Sequence, residues 1–246
     1  MAIDSILRPG DKIDIRSISA INRAERTGEK VSVMASQVLD FAGEDVVIAM
    51  PYDMGRMILL DVGISYEMVF YTSKGLYRAM GQVSSRHKDN NIYTATVTFT
   101  TELVKYQRRE YFRLQCIIGI QTYIIPEEIA KKRLERELAA IIEQNEEISA
   151  TMQSGVAVDL SGGGIRYISM QMMEPGTYVA VKLGLNGENV NEVFVLAGKI
   201  ISSVRATNAA DRYETRLEFI IHTPRIQDSI IKYIFDEDRK LRQRGR

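Results

Sequence analysis

Tyr106-Gln107-Arg108-Arg109-Glu110-Tyr111-Phe112-Arg113 divides the chain: strand-like alternation ends just before it, and a continuous apolar strand begins just after it. Three of its last six positions are arginine. A guanidinium is always charged, presents a fork of donors and stacks on flat rings, so such a cluster suits a ligand that carries both phosphates and bases. Alone, an arginine cluster more often marks a solvated basic face. A second stretch raises it above that reading, because Asp159-Leu160-Ser161-Gly162-Gly163-Gly164 supplies complementary chemistry.

Working outward, both halves read as short strands cut by turn residues. In the first, residues 12–18, 30–39, 46–50, 68–71, 76–83 and 92–99 alternate or run apolar, and Gly43-Glu44-Asp45 and Pro51-Tyr52-Asp53 interrupt them. In the second, 114–125, 156–158, 165–169, 178–185, 193–204 and 212–220 do the same, with Asn186-Gly187 as a hairpin signal. If extended pairing begins by Arg109, then Arg109, Tyr111 and Arg113 share one face.

Two segments break the strand pattern. After Pro126, residues 127–148 contain Leu134, Leu138, Ile141, Ile142 and Ile148 on one helical stripe, with Glu127 and Lys131 four apart, which predicts an amphipathic helix. It either binds a partner or a second copy, or lies on its own barrel, and the stripe is short for a coiled coil, which favours the barrel. Thr223-Pro224 opens a terminal helix whose apolar face is Ile226, Ile230, Ile231, Ile234 and Phe235. The expected fold is mainly β: two small antiparallel β-barrel-like domains in tandem, residues 1–105 and 106–246, without a long linker. The second carries the inserted helical segment, 126–152, and a C-terminal helix, 224–242.

The 246 residues carry a formal net charge of zero and are 45% hydrophobic and 26% charged, an ordinary globular composition without the basic excess of a protein that binds long nucleic acids. Cys116, the single cysteine, lies among Leu114, Ile117 and Ile118 and reads as a core residue. Asp4 and Arg8 interrupt the N-terminal apolar stretch and no run is long enough to span a membrane, so a cytoplasmic protein is expected. His87 and His222 are far apart, so neither a metal nor another cofactor is assigned. No nucleophile with an evident base and no Walker loop is present, so an enzyme is not expected.

The site chemistry follows from residue types. A carboxylate such as Asp159 accepts two parallel hydrogen bonds, matching the N1–H and N2–H pair on guanine. Ser161 offers a hydroxyl to phosphate or to the turn, and the glycines permit positive dihedrals and close backbone approach. Arginines pair with phosphates and stack on bases, so together these groups describe a receptor for a guanine nucleotide.

At these residues the chain resembles the PilZ family of cyclic di-GMP receptors, whose pattern is RxxxR followed later by [D/N]xSxxG. Here that is Arg109-Glu110-Tyr111-Phe112-Arg113, preceded by Arg108, and Asp159-Leu160-Ser161-Gly162-Gly163-Gly164. Residues from 108 onward look like the PilZ barrel, and residues 1 to 105 like the N-terminal domain of the flagellar-brake, YcgR-like subgroup. The resemblance implies that Arg108, Arg109, Arg113, Asp159, Ser161 and Gly164 bind cyclic di-GMP, and that binding resets the orientation of the halves. It further implies a cytoplasmic effector at the flagellar basal body that acts on a motor protein, stator or rotor, to reduce motility. The helix between the first two PilZ strands departs from the family pattern and alters the surface presented to partners. Two other readings stay open: an effector of exopolysaccharide synthesis, and a single-stranded nucleic-acid binder using Tyr106, Tyr111, Phe112 and the arginines.

Overall fold

The structure is a computed structural model that describes residues 3–28, 31–53, 55–89, 92–207 and 211–244. The chain divides into two compact units, Met1–Arg108 and Arg109–Arg246.

The first unit contains β1 (Lys12–Ser17), α1 (Ile18–Thr27), β2 (Met34–Ala42), β3 (Asp45–Ala49), β4 (Tyr52–Asp53), β5 (Arg56–Met57), β6 (Ser65–Thr72), β7 (Gly75–Asp89), β8 (Ile92–Phe99) and β9 (Val104–Lys105). Strands run in the order β1-β6-β7-β8-β3-β2, and β2 pairs back onto β1, which closes a six-stranded antiparallel barrel. Alternation decides which side chains fill it: Ile13 and Ile15 point inward while Asp14 faces out, and Met68 and Phe70 point inward while Tyr71 is only half-buried. Phe70 meets Phe99 edge-on at 5.6 Å between ring centroids. β9 pairs with β7, and the Tyr106 N–H donates to the Leu76 carbonyl at 2.8 Å, so the chain remains strapped to this barrel almost to its last residue.

α1 was not foreseen, since the sequence reading passes over residues 18–27. It starts after Ser17 in extended backbone and stops at Gly28, whose φ of 71° is left-handed and lets its N–H reach the Ala24 carbonyl. Glycine tolerates that conformation because it has no Cβ to clash.

The second unit contains β10 (Arg113–Ile124), β11 (Gln153–Ser161), β12 (Gly164–Ser169), β13 (Tyr178–Asn186), β14 (Asn191–Arg205) and β15 (Tyr213–Ile220), closed in the order β10-β11-β12-β15-β14-β13. Leu114, Leu160, Ile165, Tyr167, Leu183 and Leu217 fill this barrel, and α5 (Pro224–Arg244) adds Ile230, Tyr233 and Ile234 to the same core. β13 and β14 join through the hairpin at Asn186-Gly187, with the Gly187 N–H on the Val190 carbonyl at 2.7 Å. The architecture is therefore mainly β, with two closed six-stranded antiparallel barrels in tandem, a C-terminal helix and helices inserted in the second barrel.

The inserted segment differs from the single helix expected over 127–148. It forms α2 (Glu127–Lys132), α3 (Glu135–Gln144) and α4 (Glu146–Ala150). Arg133 and Leu134 are extended, and Asn145 caps α4 by accepting from the Ile148 N–H at 3.1 Å. Leu134 falls in the first break and is exposed, but Ala130, Leu138, Ile142 and Ile148 pack with Ala180 of β13 and Ala197 of β14. The segment thus lies on its own barrel, as the sequence implied. Residues 179–181 are buried on successive positions because side chains of both faces are covered. Among the described residues no helix is long and apolar enough to cross a membrane.

Candidate functional site

β11 carries the downstream motif between β10 and β12. Leu160 faces the core, so alternation turns Asp159 and Ser161 to the outer face. Across β10 the register sets Arg113 opposite Ser161 and Gln115 opposite Asp159; across β12 it sets Gly164 opposite Ser161 and Arg166 opposite Asp159. Arg113, Asp159, Ser161 and Gly164 therefore share one patch of the second barrel.

Asp159 is well buried at 9% exposure and engages through one oxygen. Its Oδ2 accepts from Gln115 Nε2 at 3.4 Å and lies 3.8 Å from Arg166 Nη2. Arg166 is itself fixed by Glu214, Nη1 to Oε2 at 2.8 Å. Among the described residues Oδ1 takes no hydrogen bond, which leaves it for an incoming donor. The Cys116 thiol donates to the Ala157 carbonyl at 3.6 Å; burial first, then the Asp159 charge, pushes its pKa up to about 11, so it stays protonated and inert near neutral pH.

Ser161 turns its hydroxyl inward on the loop, donating to the Gly164 carbonyl at 3.1 Å. The glycines act through space rather than dihedral angle, since none of Gly162, Gly163 and Gly164 is among the positive-φ glycines. A Cβ at Gly162 would lie 2.6 Å from Tyr111 Cδ1 and 2.9 Å from Ile231 Cγ1, and one at Gly164 would lie 2.2 Å from the Leu217 carbonyl oxygen. The Tyr111 ring consequently lies on the turn, where Gln227 of α5 donates to both the Tyr111 hydroxyl and the Gly162 carbonyl at 3.1 Å.

The arginine stretch is not one extended face. Pairing begins only at Arg113, and residues 109–112 precede the strand, so the shared face of Arg109, Tyr111 and Arg113 does not form. Arg109 is exposed, and Phe112 stacks on Phe235 of α5 at 6.0 Å. Arg108 ends the first unit and is anchored there. Its Nη1 donates to the Tyr71 hydroxyl at 2.7 Å and lies 3.6 Å from Asp14 Oδ2, with the guanidinium 5.3 Å from the Tyr71 ring centroid. Burial and the hydrogen bond to Asp14 raise the Tyr71 phenol above its ordinary value, against the opposing pull of Arg108.

Sequence reasoning missed Gln115, Arg166, Glu214 and Gln227 around the patch, and Asp14 and Tyr71 beside Arg108. Arg166 was within reach, because a tight β11–β12 connection puts it across from Asp159; the others depend on long-range register.

Residues 8–100 match the PilZNR family model, described as flagellar protein YcgR. No curated protein matches the chain. Among solved structures, the Bacillus subtilis inhibitor of motility (MotI/DgrA) is similar at 16% identity over 97% of this chain and 100% of that one, with a TM-score of 0.69. YcgR in complex with c-di-GMP from Escherichia coli is similar at 12% identity over 96% and 87%, with a TM-score of 0.48. The MrkH–c-di-GMP complex of K. pneumonia is similar at 11% identity over 95% and 90%, with a TM-score of 0.41. The first of these likenesses extends the shared fold over both barrels.

Proposed function

We propose that this chain, a YcgR-like PilZ-domain protein, is a cyclic di-GMP receptor that resets the orientation of its two barrels on binding and acts on the flagellar motor to reduce motility. The observation that carries the receptor reading is the convergence of Arg113, from the first motif, with Asp159, Ser161 and Gly164, from the second and distant in sequence, on one outward patch. There, Asp159 Oδ1 accepts a guanine N–H while Gln115 and Arg166 hold Oδ2. Arg109 and Arg113 pair with phosphates or stack on the bases. Ser161 and Gly164 keep the turn tight enough for the ligand to approach backbone.

Arg108 and Arg109 are consecutive in sequence but belong to different units. A ligand gripped by both biases the linkage between the barrels, and its differential affinity for alternative orientations is the energy available for the output. The output is a change of shape, and the protein transforms no substrate. The motor reading is supported by the description of the matching family as a flagellar protein and by the Bacillus subtilis protein's name, inhibitor of motility.

Calorimetric titration with cyclic di-GMP, cyclic di-AMP, GMP and a short oligonucleotide tests the receptor reading. Binding of the first alone is expected, and equal binding of the oligonucleotide overturns it in favour of a nucleic-acid binder. Ligand-dependent capture of stator or rotor proteins tests the motor step.

A further inference from the structure

We propose that Asp14 and Tyr71, on the first barrel and outside both motifs, are positioning residues for the ligand: they hold Arg108 by Nη1 and leave its Nε–Nη2 edge to pair with a phosphate. This assignment rests on the receptor reading above.

The placement follows from strand register. In β1, Ile13 and Ile15 occupy the core, which turns Asp14 outward, and in β6 Phe70 occupies the core next to Tyr71. Lys12 pairs with Tyr71 and Asp14 with Val69, so Asp14 and Tyr71 are diagonal neighbours on adjoining strands. The Tyr71 hydroxyl donates its only proton to Asp14 Oδ2 at 2.5 Å, leaving its lone pairs to accept from Arg108 at 2.7 Å. The direction of the chain of bonds is thereby fixed: Arg108 to Tyr71 to Asp14.

Both polar contacts of Arg108 use Nη1, and the Tyr71 ring lies beside the guanidinium. Among the described residues Nε and Nη2 make no hydrogen bond or ion pair. Two parallel N–H groups on one edge of a guanidinium are the donor set that a phosphate accepts bidentately. The strap of β9 and the Tyr106–Leu76 hydrogen bond fix the backbone two residues upstream, so backbone and side chain are both ordered in advance. Ordering the arginine before the ligand arrives removes part of the entropy otherwise lost on binding.

The test is a double-mutant cycle in the full chain, read as cyclic di-GMP affinity by calorimetry, with thermal melting of each variant to verify folding. Tyr71→Phe keeps the ring and removes the hydroxyl; it should weaken binding about tenfold, the size of one hydrogen bond to a charged group. In an Arg108→Ala background the same change should have no effect, because its target is gone. Asp14→Asn should weaken binding in the same Arg108-dependent way. Unchanged or tighter binding by Tyr71→Phe overturns the assignment, as does an equal loss with and without Arg108, which would indicate a merely structural tyrosine. A wild-type chain that fails to bind cyclic di-GMP overturns the receptor reading and this assignment with it. Wild-type binding with an additive cycle overturns the assignment alone.

Discussion

Asp159 sits beside a cation that is itself fixed, since Arg166 reaches it at 3.8 Å while held by Glu214 at 2.8 Å. A ligand N–H bonded to Oδ1 therefore meets an oriented carboxylate. Asp159→Ala should cost about 2 kcal/mol of cyclic di-GMP affinity by calorimetry, because the truncation leaves a ligand donor unpaired. Unchanged affinity would place the guanine contact elsewhere. Gly162 makes a separate claim, about stability. A methyl group there meets Tyr111 and Ile231 at 2.6 and 2.9 Å, so Gly162→Ala should lower the denaturant midpoint by the equivalent of about 1–3 kcal/mol. Pairing it with Tyr111→Ala should recover part of that loss. The sequence identified this turn correctly but for a partly different reason, because close approach of a distant tyrosine leaves no local mark in a run of glycines.

Glu135 links two elements that the sequence treats as separate. It begins α3, yet its carboxylate accepts from the backbone N–H groups of His222 and Thr223 and from the Thr223 hydroxyl at 2.7 Å, immediately before α5. Burial pushes its pKa up, but the bonds from the Thr223 hydroxyl, its own backbone N–H, and the His222 and Thr223 N–H groups outweigh burial and hold the carboxyl below its ordinary value. With the folded value below the unfolded one, which is about 4.3 for glutamate, the contribution is complete above the unfolded value and is lost as pH falls through the folded one. At neutral pH Glu135→Gln should cost about 1–2 kcal/mol, and wild type should lose more stability than the variant on acidification through that window, followed by denaturant unfolding at each pH. Parallel curves would rule out this linkage. The breaks at Arg133 and Asn145 were hidden because the apolar stripe continues through them, whereas the strands were legible from alternation alone. The two barrels were legible as β-barrel-like domains, but their strand order was not, because the β1–β6 and β10–β13 pairings join segments far apart in the chain.

Each barrel has its own core, with Ile13, Phe70 and Val97 in one cluster and Leu114, Leu160 and Ile234 in another. Two calorimetric transitions are therefore expected on heating, one for each unit. A ligand stabilises what it binds by RT ln(1 + [L]/Kd), which is about 2.7 kcal/mol at a hundredfold excess over Kd. If Arg108 in the first unit and Arg109 and Arg113 in the second grip the same ligand, cyclic di-GMP should raise both transitions. Arg108→Ala should confine the rise to the unit that carries Asp159, because the first barrel then has no hold on the ligand. A ligand that raises only one transition in wild type would confine its grip to one barrel, and would leave the proposed change of orientation without an energy source.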